Sequence, residues 1–234
     1  MPRRSWILLA IVACATSARA ATPGFVEDFN AGIGGFGGAS TVTQVTSGGV
    51  GGASDGYLQI SNALASQLGA FTTEVDLVGN LPADGVTGYS FWLRDVGANN
   101  SHEIHVGVGS PVLALFPNFW LSVPGFVPPD GSWQQFTVDL TNPSQWVQII
   151  GTGTFQAALA ATDHLLFRHD LAPLTQFPDL ASGDFGLDRI QVLPVPAPLP
   201  AVSAPGRAAL VALLGAIAAV ALRRRGRVRA APAR

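Results

Sequence analysis

Between residues 21 and 196 the chain is cut by Gly and Pro into short pieces whose apolar and polar residues alternate, the period-two pattern of strands with one buried face. Phe71-Thr72-Thr73-Glu74-Val75-Asp76-Leu77 sets Phe71, Val75 and Leu77 on one face and Thr72, Glu74 and Asp76 on the other, which predicts a strand. Residues 136–140 alternate in the same way, and further strands are predicted at 41–45, 57–61, 89–94, 103–108, 146–150, 165–168 and 185–192. One short helix is expected after Thr154, a capping residue, with Phe155, Ala158, Leu159 and Thr162 on one face. The Gly-dense stretch 32–52 reads as loop around the strand at 41–45. Many short strands separated by turn residues predict an all-β, jelly-roll-like β-sandwich with one short helix. The 176 residues from 21 to 196 are enough for one well-cored domain.

Charge changes the picture at the two ends. The chain has no lysine, and seven of its thirteen arginines fall in the last 28 residues. All fifteen acids lie between Glu27 and Asp188, while residues 21–196 hold only Arg94, Arg168 and Arg189, a net of −12. Such a body repels phosphate and excludes nucleic acid as a partner. At the front, Arg3 and Arg4 precede an apolar run over 6–15 and then Ala18-Arg19-Ala20, the pattern of a secretory signal peptide over 1–20 with cleavage between Ala20 and Ala21. Ile11-Val12-Ala13-Cys14 also resembles the lipobox of bacterial lipoproteins, in which Cys14 would be acylated. Cys14 is the single cysteine, so a domain starting at Ala21 has no disulfide and no thiol nucleophile or ligand.

At the back, residues 208–222 are apolar throughout, about 22 Å of helix against the roughly 30 Å of a bilayer core. Extended back to Leu199, the run is long enough, with Arg207 as its only charge. The segment 197–234 is therefore read as a Pro-rich motif, a transmembrane helix at about 205–222 and an Arg-rich tail. Arg223, Arg224 and Arg225 act as the stop-transfer signal, held in the cytoplasm while the acidic domain lies outside.

Two resemblances follow from these residues. The end, with Val195-Pro196-Ala197-Pro198-Leu199-Pro200-Ala201, one hydrophobic helix and a terminal Arg cluster, resembles the PEP-CTERM family of bacterial sorting signals and its VPLPA-like and IPTL-like relatives, although Pro-Glu-Pro itself is absent. Pro196, Pro198, Leu199 and Pro200 would be the sorting motif. The resemblance implies a Gram-negative exported protein, held at the inner membrane, handled by an exosortase-type sorting enzyme and destined for the envelope surface or extracellular matrix. Within the body, SWQQFTVDLTNPSQWVQIIGTGTFQAALAATDHLLFRHD followed by GDFGLDRIQV resembles the second half of a laminin B (laminin IV type A) domain, with Arg189 where that family usually has Asn. This implies a jelly-roll-like sandwich related to carbohydrate-binding modules, often with a structural calcium.

Candidate chemistry is sparse. Glu74 and Asp76 imitate the E-x-D start of a laminarinase-type glycosidase strand, but Val78 and Gly79 stand where the acid/base carboxylate should be, and a retaining mechanism needs that group. His102-Glu103-Ile104-His105 on a strand puts Glu103 and His105 on one face and His102 on the other, with no third ligand placed by sequence, and His164 and His169 bracket a buried strand. No G-x-S-x-G, P-loop or dinucleotide motif is present. Two binding sites are expected instead. Glu27 and Asp28, which open the domain, could meet Asp188 in its closing strand as hard oxygen ligands for Ca²⁺. Phe116, Phe119, Trp120 and Phe126, in the stretch PVLALFPNFWLSVPGFVPP, could stack on sugar rings. The function expected is that of an exported, non-catalytic envelope or matrix protein that binds exopolysaccharide. A structural matrix protein without soluble ligand is the alternative, and a secreted glycosidase comes third.

Overall fold

The computed structural model describes residues 19–97, 102–110 and 117–196. One sheet runs in the order β2 (Thr41–Val45), β3 (Tyr57–Gln67), β11 (Leu180–Pro194), β5 (Val86–Arg94) and β8 (Gln134–Asp139), with the short β1 (Val26–Glu27) also paired to β11. The other runs β4 (Gly69–Thr72), β10 (His164–His169), β6 (Ile104–Ser110), β7 (Asn118–Ser122) and β9 (Trp146–Gly151). All strand pairs are antiparallel. The chain crosses between the two sheets six times, at β3–β4, β4–β5, β5–β6, β7–β8, β8–β9 and β10–β11, and the core of this β-sandwich lies between the layers.

The alternation read from sequence sets what faces inward. Leu58 and Ile60 of β3, Tyr89, Phe91 and Leu93 of β5, and Phe185 and Leu187 of β11 meet Ile104, Val106 and Val108 of β6 and Leu165 and Phe167 of β10, all fully buried. Phe91 and Phe167 close the gap edge to face, 5.0 Å between ring centroids. Helix α1 (Phe155–Ala160) forms as predicted: Thr154 Oγ1 accepts from Ala157 N, and Phe155, Ala158 and Leu159 are buried. Trp146 stacks on Phe155 at 5.1 Å and seals that end.

The alternation does not predict β1 and β7, and the structure departs from the predicted pattern in three further places. The strand expected over 71–77 stops at Thr72, because Thr72 Oγ1 accepts from Glu74 N and the Glu74 carbonyl then takes Leu77 N and Val78 N in a tight turn. Leu77 is buried by this turn while Val75 is half exposed, so Glu74 and Asp76 do not share a strand face. Second, β3 and β11 run well past the predicted 57–61 and 185–192. Third, Arg189 takes a positive φ of 46° and makes a bulge in β11 between the pairs Asp188↔Trp92 and Gln191↔Ser90. The bulge shifts the alternation by one residue, so that Ile190 and Val192 also face the core.

Among the described residues no helix is long and apolar enough to cross a membrane. The predicted leader up to residue 18, the motif residues Pro198, Leu199 and Pro200, the apolar run at 205–222 and Arg223, Arg224 and Arg225 lie outside the described residues. Pro196 is the last one described, just beyond the end of β11.

Tyr89 gives a test of the core. Its ring is fully buried and its hydroxyl donates to the Leu77 carbonyl at 2.6 Å, tying the 73–77 turn to β5. Tyr89→Phe leaves that carbonyl buried without its partner. A loss of about 1–2 kcal/mol in the free energy of unfolding is expected, read as a lower denaturant midpoint with an unchanged slope.

Candidate functional site

The outer face of the five-stranded sheet carries two largely apolar rows beside a row with Arg168 and His105. Register places Phe71, Leu166, Gly107, Leu121 and Val147 in one row across β4, β10, β6, β7 and β9, and His164, Gly109, Phe119 and Ile150 in the next. A side chain at Gly107 would not fit: its Cβ would stand 2.6 Å from the Phe119 ring and 3.0 Å from Leu121. The missing side chain lets Phe119 and Leu121 settle into the sheet, where both are buried.

Against this face lies a cavity of about 320 Å³ lined by Phe71, Leu166 and Arg168 on one side and by Ile150 from β9 on the other. Since β4 and β9 are opposite edges of the sheet, the face curls into a trough. Phe71 is 37 % exposed and Phe177, on the loop before β11, is 74 % exposed. Both line the cavity, as do the amide side chains of Gln67 and Gln176. His164 packs its ring on Phe71 at 4.7 Å and is paired through Nδ1 with Asp163 at 2.7 Å.

Arg168 builds the rim. Its buried guanidinium pairs with Asp170 and donates to the carbonyls of Thr175 at 2.5 Å and Gln176 at 3.4 Å. Asp170 and Asp179 close the same loop by accepting N–H groups from each other's neighbourhood, Asp179 N to Asp170 and Leu171 N to Asp179. Burial pulls the Arg168 pKa down while Asp170 and Asp179 oppose that shift. The arginine is thus used up in holding the loop that displays Phe177.

The aromatic residues chosen from sequence are placed elsewhere. Phe116 lies outside the described residues. Phe119 is buried on the outer face of the five-stranded sheet. Trp120, next along β7, turns to the other face, packs on Phe155 at 5.3 Å and donates to Asn118 Oδ1. Phe126 packs edge-on against Phe91 and also against Phe136, at 5.3 Å in each case. Trp120 and Phe126 are thus half-buried, and Phe126 also lines a smaller cavity with Pro124 and Trp146. Phe71 and Phe177 were missed because nothing in a single aromatic within a loop or at a strand end marks it as exposed.

The acids proposed as calcium ligands are parted by the bulge at Arg189. Glu27 pairs with Ile190 and so shares its inward side, whereas Asp188 pairs with Trp92 on the outer face. Glu27 accepts from Phe29 N, Asp28 accepts from Asn30 N, and neither reaches Asp188. The groups that do gather there are Asp55, Asn30 and Arg189. Asp188 is fully buried under the loop before β3, with Val50 N donating at 2.8 Å to one oxygen and Arg189 N at 2.7 Å to the other. Asp55 takes Asn30 Nδ2 at 3.0 Å, Gly51 N at 2.5 Å and Arg189 Nη2 at 3.3 Å. This set does not fit a calcium ion, since the Asp188 oxygens already receive N–H donors and a guanidinium supplies the positive charge. Among the described residues no group of three or more His, Cys, Asp or Glu side chains is placed to hold a metal. Of the histidines, His105 Nδ1 lies 2.7 Å from the Ser122 carbonyl, His102 Nε2 3.1 Å from that of Ser182 and His169 Nδ1 3.1 Å from that of Glu103, which makes them pins of the fold. Glu103 and His105 do share a face, 3.5 Å apart.

Burial pushes the Asp188 carboxyl up to about 6, with the Val50 and Arg189 N–H groups pulling the other way. The Asn30 amide holds Asp55 below its usual range.

No family model matches the chain, and no curated protein matches it. Among solved structures, the chain is similar to the family 11 carbohydrate-binding module from Clostridium thermocellum, solved with a β-1,3-1,4-mixed-linked tetrasaccharide, at 16 % identity and a TM-score of 0.48, covering 75 % of this chain and 98 % of that one. A solution structure of CtCBM11 gives 18 % identity, a TM-score of 0.49 and coverages of 77 % and 98 %. The CBM22-1 xylan-binding domain of Xyn10C from Paenibacillus barcinonensis gives 15 % identity, a TM-score of 0.48 and coverages of 76 % and 100 %. At that level of similarity the sandwich stands on its own strand pairings.

Two outcomes test the Asp188 cluster. Because its carboxyl is higher in the folded chain than the ordinary value near 3.9, the folded state binds the proton more tightly, and the stability this gives is complete below about pH 4 and lost as pH rises through 6. Wild type should therefore lose stability relative to Asp188→Asn between pH 4 and 7 and run parallel to it above, as read by thermal melts. Adding a calcium chelator should leave the melting temperature unchanged, and a fall would return a cation to this cluster.

Proposed function

We propose that the sandwich is a non-catalytic glycan-binding module of an exported envelope or matrix protein, and that it takes a neutral polysaccharide along the trough of the five-stranded sheet. The observation that carries this reading is the pair of exposed rings, Phe71 and Phe177, at a cavity also lined by Leu166, Ile150, Gln67 and Gln176. Flat rings stack on the apolar faces of sugars, and amides exchange hydrogen bonds with hydroxyls. Arg168 is the single charged residue among those lining the cavity, and it is already paired. Glycoside hydrolysis by the usual routes needs two carboxylates across the scissile bond, and the described lining offers none. The net charge of −12 over residues 21–196 disfavours polyanions such as uronate-rich chains. Export, an inner-membrane stage and sorting by an exosortase-type enzyme belong to the same proposal and rest on the two ends of the sequence.

Titration calorimetry with mixed-linked β-glucan, xylan and a polyuronate tests it. Neutral chains should bind in the high-micromolar range and the polyuronate not at all. Phe177→Ala should weaken binding about tenfold, or about 1.4 kcal/mol, without moving the melting temperature, because the ring is 74 % exposed. Unchanged affinity in both Phe177→Ala and Phe71→Ala would remove the trough from consideration. Silence toward every neutral glycan at millimolar sugar would favour the purely structural matrix protein.

A further inference from the structure

The point at which the chain enters the sandwich carries chemistry that the trough does not use. Arg19 and Ala20 are exposed, but Ala21 is 4 % exposed and belongs to the core. Its backbone N–H donates to Asp84 Oδ2 at 2.9 Å. Gly79 makes room for this contact, since a Cβ there would stand 2.8 Å from both Ala21 N and Asp84 Oδ2. Beyond Ala21 the chain is pinned: Thr22 N donates to the Asp76 carbonyl at 3.0 Å, Thr22 Oγ1 bonds Asp76 Oδ1 at 2.5 Å, and Gly24 N donates to the Val192 carbonyl at 2.8 Å. The Ala21 nitrogen is therefore fixed beside a carboxylate, at the bond where the A-x-A pattern predicts cleavage.

We propose that removal of the leader between Ala20 and Ala21 turns this nitrogen into an α-ammonium that forms an ion pair with Asp84, so that maturation itself completes the module. The step is a hydrolysis by a signal peptidase with water as co-reactant. The amide bond from the Ala20 carbonyl carbon to the Ala21 nitrogen breaks, the water oxygen goes to that carbon as the leader's new carboxylate, and the nitrogen gains protons to become –NH₃⁺. Nothing is oxidised or reduced. In the uncut chain Asp84 receives one neutral N–H, whereas in the cut chain it faces a cation with three donors, and charge-assisted bonds are roughly twice as strong as neutral ones. Little opposes the exchange, for Arg19 makes one 3.4 Å bond to the Asp163 carbonyl at an exposed position. The inference rests on the signal-peptide reading and is independent of any glycan.

The absence of lysine makes the test unusually clean. After processing, the α-amine is the only primary amine in the full chain, so an amine-acylating reagent reports on that one group. The full-length protein, exported from a Gram-negative host, should have Ala21 as its first residue by N-terminal sequencing and intact mass. Acylation of the native protein should be at least tenfold slower than in urea, and Asp84→Asn should raise the native rate towards the unfolded one. The same substitution should lower the melting temperature of the cut chain by roughly 3–6 °C, and by less in a variant whose Ala18 and Ala20 are replaced to keep the leader. A mature chain that begins anywhere other than Ala21, an acylated Cys14 included, overturns the proposal. So does a native wild-type amine that reacts as fast as the unfolded one, a comparison that needs no variant to fold.

Discussion

The architecture depends on one constraint in its longest strand. β11 is bonded to β3 on one side and to β5 on the other, with β1 added near its end, so it must present apolar side chains to the core along its whole length. Strict alternation would do so only if the sequence kept one phase. Phe185 and Leu187 are in one phase, Ile190 and Val192 in the other, and the bulge at Arg189 reconciles them. A non-glycine residue in the left-handed region costs on the order of 1 kcal/mol. That cost is small beside burying two more large apolar side chains, each roughly 1.5–3 kcal/mol.

The same bulge determines what the outer face of that sheet can be. With Asp188 turned outward, a buried carboxylate needs cover, and the Gly-rich loop provides it. Gly49 and Gly51 lie so close that added side chains would meet the Gly56 carbonyl at 2.3 Å and the Asp55 carboxylate at 2.7 Å. Only backbone can approach there, which is why Val50 N and Gly51 N can reach the two acids. The loop's other end is fastened at the Gly48 carbonyl, which accepts from both Trp133 Nε1 and Arg94 Nη1. A glycine-dense stretch that looks unstructured in sequence is thus a strap over one sheet.

Sequence made the strands legible where a single face is buried. Thr41–Val45 matches the predicted 41–45, His164–His169 contains the predicted 165–168, and the Thr154 cap with its apolar helix face marks α1. It misled over 71–77, where Thr72 offers its hydroxyl to the backbone and diverts the chain into a turn although the alternation continues. The trough escaped notice because it depends on which strands neighbour one another: Ile150 and Leu166 share a cavity only through the order β4-β10-β6-β7-β9. The Asp188 cluster was half visible. Its acid stood out in the closing strand, but the one-residue shift at Arg189, which parts it from Glu27 and joins it to Asp55, has no periodic signature.

Charge placement then narrows what the surface can recognise. Within the sandwich Arg94 sets its guanidinium over the touching rings of Tyr57 and Trp133, 4.7 Å from each centroid, Arg168 is buried against Asp170 and Arg189 bonds Asp55. Each of the three arginines between residues 21 and 196 is committed to holding a loop. None of these three arginines is left to meet a negatively charged chain. Attraction must then come from groups whose affinity does not depend on charge, namely exposed rings and side-chain amides. The trough edge, with Phe71, Phe177, Gln67 and Gln176, is where such groups share one cavity. The loop that carries Gln176 and Phe177 is held by Arg168, which donates to the carbonyls of Thr175 and Gln176, so the shape of that edge depends on a cation spent on the fold.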